Sequence, residues 1–413
     1  MSFSYLPTEL KEAIIFDPNL DRETLAVLCL VSRSTLDVAR PHLYRDLHVN
    51  LQYTKEVQSL QNRVHALVEE DMYVERDEKE LQEQIETLLA RQIGQDALFT
   101  TLEARPEWYL YVKSLQVTIG TKTEKKWALV SNLLPSFTSL RELTVFHANF
   151  TESDYGFCAM ILRQCPRNLT SLDLVQSALP ITSTFRLLEK LPNLQRLSLG
   201  YLRSPEDGSS TPRALLSTLD SLRSLTLRFP FRSSSSFAAI ANAAPSLTTL
   251  EVDFESISAL IPSLLSKIRR LVISSSWNPR SSKRLHRAEQ LVSVLDRCSS
   301  LESFELIGDI WKIHSEKDEE LEAQRVLHHL PSSLRHLSFH ILYLSPSYYL
   351  DFLSNHNTSS LRKLELSRLI DQEVSPPVYD RVTEAKVVEI CESRNIILTW
   401  VEDREDRIRE GES

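Results

Sequence analysis

One short pattern, apolar-x-x-apolar-x-apolar, recurs ten times between residues 112 and 366 and constrains the fold more than any other feature. The copies start at Val112, Leu140, Leu169, Leu194, Leu222, Leu247, Ile268, Leu301, Leu334 and Leu361, at separations of 21 to 33 residues. The last four positions alternate apolar and polar, as in a short strand with one buried face. Helical segments are predicted between copies, at 125–134, 155–163, 237–243, 288–296 and 384–392. A strand that returns after one helix pairs in parallel with its predecessor. A single strand–helix unit cannot bury its own apolar face, so successive units must stack. A last strand-like run at 396–400 makes an eleventh unit.

This pattern resembles the leucine-rich repeat over residues 110–401. The resemblance implies an α/β fold, a curved solenoid with a parallel sheet on the concave face and helices on the convex face. The sequence departs from the family at the ninth position, where Ser177, Leu202, Pro230 and Glu255 stand in place of Asn or Cys. A continuous asparagine ladder is therefore absent, and irregular turns are expected.

Composition removes several function classes. Of seven glycines, no two are spaced as G-x-G, so no dinucleotide- or phosphate-cradling loop can be assembled. Five cysteines (Cys29, Cys158, Cys165, Cys298, Cys391) form an odd set without C-x-x-C, which suits reduced, buried thiols and a cytoplasmic or nuclear setting. The start of the chain lacks the basic-then-apolar pattern of a signal peptide. The apolar run at 25–31 is too short to cross a membrane. A net charge of −9 argues against a general nucleic-acid or anionic-membrane binder.

The first fifty residues have a different texture. Leu6, Leu10 and Ile14 fall at helical spacing, with Pro7 in the first turn. Asp17-Pro18-Asn19 breaks that helix, and Asp21 caps a second helix carrying Leu25, Leu28 and Cys29. Val31-Ser32-Arg33 starts a third, ending near Pro41. The string Leu6-Pro7-x-Glu9-Leu10, the Leu-rich second helix, Val31-Ser32-Arg33 and the closing Pro41-His42-Leu43-Tyr44 resemble an F-box over residues 4–48. That resemblance implies docking on a Skp adaptor, and through it a cullin, with Leu6, Pro7, Leu10, Ile14, Leu25, Leu28, Val31 and Leu43 at the interface.

The organisation expected is an F-box at 1–50, a linker at 51–107, repeats at 108–401 and a charged tail at 402–413. Between residues 69 and 89, nine acidic residues face only Arg76 and Lys79. Leu81, Ile85, Leu88 and Leu89 make an apolar stripe there, readable as a partner helix or as a solvated insert. Residues 97–110 read as a helix covering the first repeat.

No constellation for catalysis emerges. There is no G-x-S-x-G elbow. His336 and His340, with His328 and His329 nearby in sequence, lack enough carboxylates for a metal site, and neither metal nor cofactor is expected. Arg280, Lys283, Arg284 and Arg287 form a small basic run that reads as a solvated loop. The outward lane of the sheet is mixed in charge, which suits a protein or peptide partner. Phe146, Tyr201, Arg228, Phe229, Asp253 and Phe254 are its candidate target-binding residues, supplying aromatics and charges for a hot spot. The two resemblances together imply a non-enzymatic, substrate-recruiting adaptor of a Skp–cullin–F-box ubiquitin ligase. The alternative is a leucine-rich-repeat scaffold outside ubiquitination.

Overall fold

Alternation within each repeat sends every second side chain to one face of its strand, and the register stacks those side chains into columns. The computed structural model describes residues 33–51, 53–69, 75–119, 130–147, 163–180, 186–203, 219–227, 240–253, 257, 260–274, 287–307, 324–340, 346–355, 358–368 and 381–402. The chain divides into two units, Met1–Gly200 and Tyr201–Ser413.

In the first unit, strands β1 (Asp46–Asn50), β2 (Ser114–Ile119), β3 (Glu142–His147), β4 (Ser171–Pro180) and β5 (Arg196–Arg203, running just past the division) lie in chain order. The pairings β1–β2, β2–β3 and β3–β4 are parallel. Leu47, Leu115, Leu143 and Leu172 form one column, and Val49, Val117, Val145 and Leu174 the next, all buried. Each such side chain contributes roughly 1.5–3 kcal/mol through the apolar surface it removes from water.

The strand β1 corrects the expected organisation. The sheet starts at Asp46, inside the stretch assigned to the first module, and not at residue 108. Its signal is Tyr44-x-x-Leu47-x-Val49, the repeat pattern with tyrosine in first place. It is hidden because the next start, Val112, lies 68 residues away, more than twice any other separation. With β12 (Ile397–Glu402) at the other end, the strands number twelve among the described residues, one more than expected.

The residues between β1 and β2 are not a solvated insert. They form helices α2 (Tyr53–Glu69) and α3 (Glu75–Ala104), packed on each other; α1 (Arg33–Leu43) precedes them. The inner seam of α3 is Leu81, Ile85, Leu88, Gln92, Gln95, Phe99 and Leu102, alternating four and three apart as in a heptad. Leu81, Ile85, Gln95, Phe99 and Leu102 are buried. The two glutamines interrupt the apolar stripe, which is why the helix pattern reads as too brief in the sequence.

In the second unit, β6 (Ser224–Leu227), β7 (Thr249–Asp253), β8 (Arg270–Ser274), β9 (Ser303–Ile307), β10 (His336–His340), β11 (Lys363–Arg368) and β12 pair successively in parallel. The column Leu225, Leu250, Leu271, Phe304, Leu337, Leu364 is fully buried. Helices α4 (Arg287–Leu295), α5 (Pro346–Asn355) and α6 (Arg381–Ser393) lie between strands in sequence. The expected helices at 288–296 and 384–392 are α4 and α6. Tyr349 of α5 meets Phe339 of β10 edge-on, ring centroids 6.4 Å apart, so this helix covers the leucine side of the sheet.

A shared turn sets the register. The first apolar residue of a copy donates its N–H to the carbonyl three residues earlier: Leu140 to Phe137, Leu194 to Leu191, Leu247 to Ala244, Leu301 to Cys298 and Leu361 to Thr358. Pro192 and Pro245 occupy the second position of such turns, where a fixed φ is favourable. The missing ninth-position asparagine has a visible consequence. Ser177 lies inside the ten-residue β4 and Leu202 inside the eight-residue β5, so the chain runs on as strand there.

Candidate functional site

Parallel register arranges the outward residues of the second unit in rows across the strands. The first row reads Ser224, Thr249, Arg270, Ser303, His336, Lys363; two residues on, it reads Thr226, Glu251, Val272, Glu305, Ser338, Glu365. Cations thus lie in one row and carboxylates in the next, and they pair across or along the strands. Arg270 Nη2 is 3.3 Å from Glu305 Oε2 on the neighbouring strand, and Lys363 Nζ is 2.5 Å from Glu365 Oε1 on its own strand. His336 Nε2 lies 3.2 Å from Glu365 Oε2, while its Nδ1 lies 3.3 Å from Ser303 Oγ. The neutral Nε2–H tautomer satisfies both contacts, donating to Glu365 and accepting from the serine hydroxyl.

Burial alone would raise the pKa of Glu365. Hydrogen bonds from Lys363, His336 and Ser338, with the Lys363 charge, outweigh it and hold the carboxyl at about 2. Val272 and Ser338 are buried although alternation places them outward. Each stands between two longer glutamates in its row, Glu251 and Glu305 or Glu305 and Glu365.

In the first unit, Arg196 Nη2 reaches Glu142 Oε1 at 2.7 Å, from β5 to β3. Phe146 of β3 is half-buried, in register with Thr118 and the buried Val175. Of the other candidate target-binding residues, Tyr201 lies on β5 and Asp253 ends β7. Arg228, Phe229 and Phe254 lie outside the described residues. Phe146 falls in the first unit, Tyr201 and Asp253 in the second.

Of the candidate adaptor-binding residues, Leu43 closes α1 and is half-buried. Leu6, Pro7, Leu10, Ile14, Leu25, Leu28 and Val31 lie outside the described residues, as does most of the basic run at 280–287. The helix α1 is tied to the start of the repeats by Trp108. The Arg40 guanidinium stands 4.8 Å over its ring, and the Tyr44 ring is 4.9 Å away. Arg40 also pairs with Asp37 at 3.2 Å.

The histidines do not converge on one site. His329 pairs with Asp296 at 2.9 Å and His328 with Asp351 at 3.6 Å. Among the described residues no group of three or more His, Cys, Asp or Glu is placed to hold a metal ion. Burial pushes the thiols of Cys165 and Cys298 up to about 12 and that of Cys391 to about 11, the last against the opposing charge of Arg394. No described helix is long and apolar enough to cross a membrane.

A third row was not singled out in the sequence. It consists of the residue before each strand, linked from repeat to repeat by backbone hydrogen bonds. Lys113 N–H donates to Arg45 O, Arg141 to Lys113, Arg269 to Thr248, Glu302 to Arg269, Arg335 to Glu302 and Arg362 to Arg335, each at 2.7–2.8 Å. Its signal is the second position of the repeat pattern, which carries a basic residue in most copies.

Repeated turn, parallel register and leucine columns decide the fold. Each unit is an array of parallel strand repeats whose fold resembles a leucine-rich-repeat solenoid. No family model matches the chain, and no curated protein matches it. Among solved structures the chain is similar to the leucine-rich repeat-containing protein LegL7 from Legionella pneumophila. Identity is 15% and the TM-score 0.40, over 72% of this chain and 87% of that one. The outward rows of the second unit carry mixed charge, part of it paired within the surface itself.

Proposed function

We propose that the protein recruits a target protein to a Skp–cullin–F-box ubiquitin ligase, its first module docking on the Skp adaptor and its repeats holding the target. The observation that carries this reading is the ordered string Leu6-Pro7-x-Glu9-Leu10 … Val31-Ser32-Arg33 … Pro41-His42-Leu43-Tyr44, followed by a leucine-rich-repeat array. The Arg40–Trp108–Tyr44 cluster supports it, because it fixes the last helix of the module against the array, a rigid link that positioning a target requires.

In this reading Leu6 and Pro7 enter the adaptor, backed by Leu10, Ile14, Leu25, Leu28, Val31 and Leu43. Ubiquitin transfer belongs to other subunits, and this chain contributes binding alone.

Co-expression with a Skp adaptor tests the reading. Wild-type chain should co-purify with the adaptor, and L6A with P7A should abolish that while leaving circular dichroism unchanged. Removing residues 1–48 is a poor variant, since it cuts into β1; removing residues 1–32 spares the strand. Wild-type chain that elutes without the adaptor leaves a scaffold outside ubiquitination as the function.

A further inference from the structure

We infer that the strand-entry edge of β10, β11 and β12 is a docking site for an acidic peptide segment carrying an apolar side chain. The inference deepens the target-recruiting reading, and rests on it only for the statement that the peptide belongs to a recruited protein.

Three residues on neighbouring strands carry the argument. Arg335 and Arg362 occupy the same position in successive repeats, with Arg362 N–H bonded to Arg335 O at 2.8 Å. Their backbones are therefore one strand step apart, about 4.8 Å. Both side chains are exposed. Arg335 has no ion-pair partner among the described residues, and Arg362 Nη1 reaches only the carbonyls of Ser359 and Leu361, at 3.3 and 3.4 Å.

Neighbouring cations are committed differently. Arg269, in the same row, has Glu302 at 3.7 Å; Arg270 has Glu305; Lys363 has Glu365. Arg394 is held by Leu353 O at 2.7 Å and Thr358 Oγ1 at 2.6 Å. Two guanidinium groups one strand step apart repel each other, and the carboxylate on the other side of Arg335 in that row, Glu302, is paired with Arg269 at 3.7 Å. An incoming pair of anionic oxygens would offset that repulsion, through charge-assisted bidentate contacts.

The third residue is Ile397. It is 65% exposed, and it stands beside Lys363 in register. Its place is fixed by the turn before β12, where Asn395 adopts φ 55° and Ile396 N–H returns to Cys391 O at 2.8 Å. A side chain held this way makes an apolar anchor one strand step from Arg362 and two from Arg335.

A nucleic-acid backbone fits this edge poorly. Three residues beyond Arg362 on its strand lies Glu365, in a row with Glu305 of β9, and the whole chain carries −9. A short acidic segment satisfies two arginines without crossing those carboxylates. The anionic oxygens could be those of Asp and Glu or of phosphorylated Ser and Thr.

The test is fluorescence anisotropy of the full chain with labelled synthetic peptides: a short run of glutamates followed by leucines, its phosphoserine counterpart and its glutamine counterpart. Oligothymidylate serves as a competitor class. The acidic peptides should bind and the glutamine peptide should not. R335E with R362E should weaken binding by about tenfold or more, and I397D by several-fold. R223E removes another exposed arginine without an ion-pair partner among the described residues, four strands from Arg335, and should leave affinity within about twofold. Unchanged melting of each variant confirms that folding is intact. Tighter binding of the phosphoserine peptide identifies a phosphorylated source, and equal binding a constitutively acidic one; either supports the site.

The inference is overturned if no acidic peptide binds, if the double variant binds like wild type, if R223E weakens binding equally, or if oligothymidylate binds more tightly than the acidic peptides. A chain that binds the peptide but not Skp overturns the adaptor reading and leaves this site standing; the converse overturns the site alone.

Discussion

The side-chain carbonyl Oε1 of Gln95 accepts the backbone N–H of Asn50 at 2.7 Å, joining the long helix α3 to the first strand of the sheet. The next N–H, from Leu51, goes the other way, to Thr118 O of β2 at 2.9 Å. Gln95 thus satisfies a backbone donor on the side of β1 away from β2, where an edge strand would otherwise offer it to another chain. The buried glutamine of the helix seam is thereby given a role.

Replacing that glutamine should therefore affect the sheet as well as the helix. Q95A should destabilise the first unit by about 1–2 kcal/mol, the cost of a part-buried N–H left unpaired. Thermal melting followed by circular dichroism should show a transition lowered by a few degrees, with faster amide exchange at Asn50. Equal exchange in wild type and variant would show that the contact carries no weight.

Deleting residues 63–91 should have a larger effect. It removes the buried Leu81 and Ile85 and strands Val57, Phe99 and Leu102 without their packing partners. Loss of several buried apolar side chains costs about 2–5 kcal/mol for each large one. The deletion variant should lose the melting transition of the first unit, measured against the full chain by differential scanning calorimetry.

Trp108 anchors α1. W108A removes a cation–π contact and an aromatic pair, each on the order of 0.5–1.5 kcal/mol. Hydrogen exchange across Arg33–Leu43 should accelerate, while β6–β12 exchanges as before. If α1 keeps its protection, other contacts hold it.

Glu365 gives a pH dependence with a definite sign. Its folded pKa, about 2, lies below the ordinary 4.5, so the unfolded chain takes up its proton first as pH falls. The stabilisation is complete above 4.5 and is lost as pH drops toward 2. E365Q should lower the melting temperature of the second unit at neutral pH, by about 1–3 kcal/mol of stability, and flatten its acid dependence in that window. An identical acid profile in the variant would contradict the hydrogen-bond network drawn around this carboxyl.

The three described cysteines should be inert in the native protein. With thiols at about 11 to 12, almost no thiolate exists at pH 8. Iodoacetamide should label the peptides of Cys165, Cys298 and Cys391 only after unfolding, read by mass spectrometry. Rapid native labelling of any one would show that its surroundings open.

What the sequence determined by itself was the repeat. Alternation of side chains along a strand is local, so Leu143 and Val145, or Leu364 and Leu366, announce their buried face within six residues, and ten copies leave little freedom in pairing. The tertiary structure decided what depends on residues far apart. Tyr44-x-x-Leu47-x-Val49 became a strand because β2 and a helix pair inserted between them enclose it, and no local pattern spans that gap. Gln95 joined an apolar seam because a distant N–H needed an acceptor. Val272 and Ser338 carry outward positions by alternation, yet longer glutamates on the adjacent strands cover them. Arg335 and Arg362 look alike with Arg269 in the sequence; the register sets Glu302 one strand step from both Arg269 and Arg335, and only the folded side chains show that it pairs with Arg269, leaving Arg335 and Arg362 without an ion pair among the described residues.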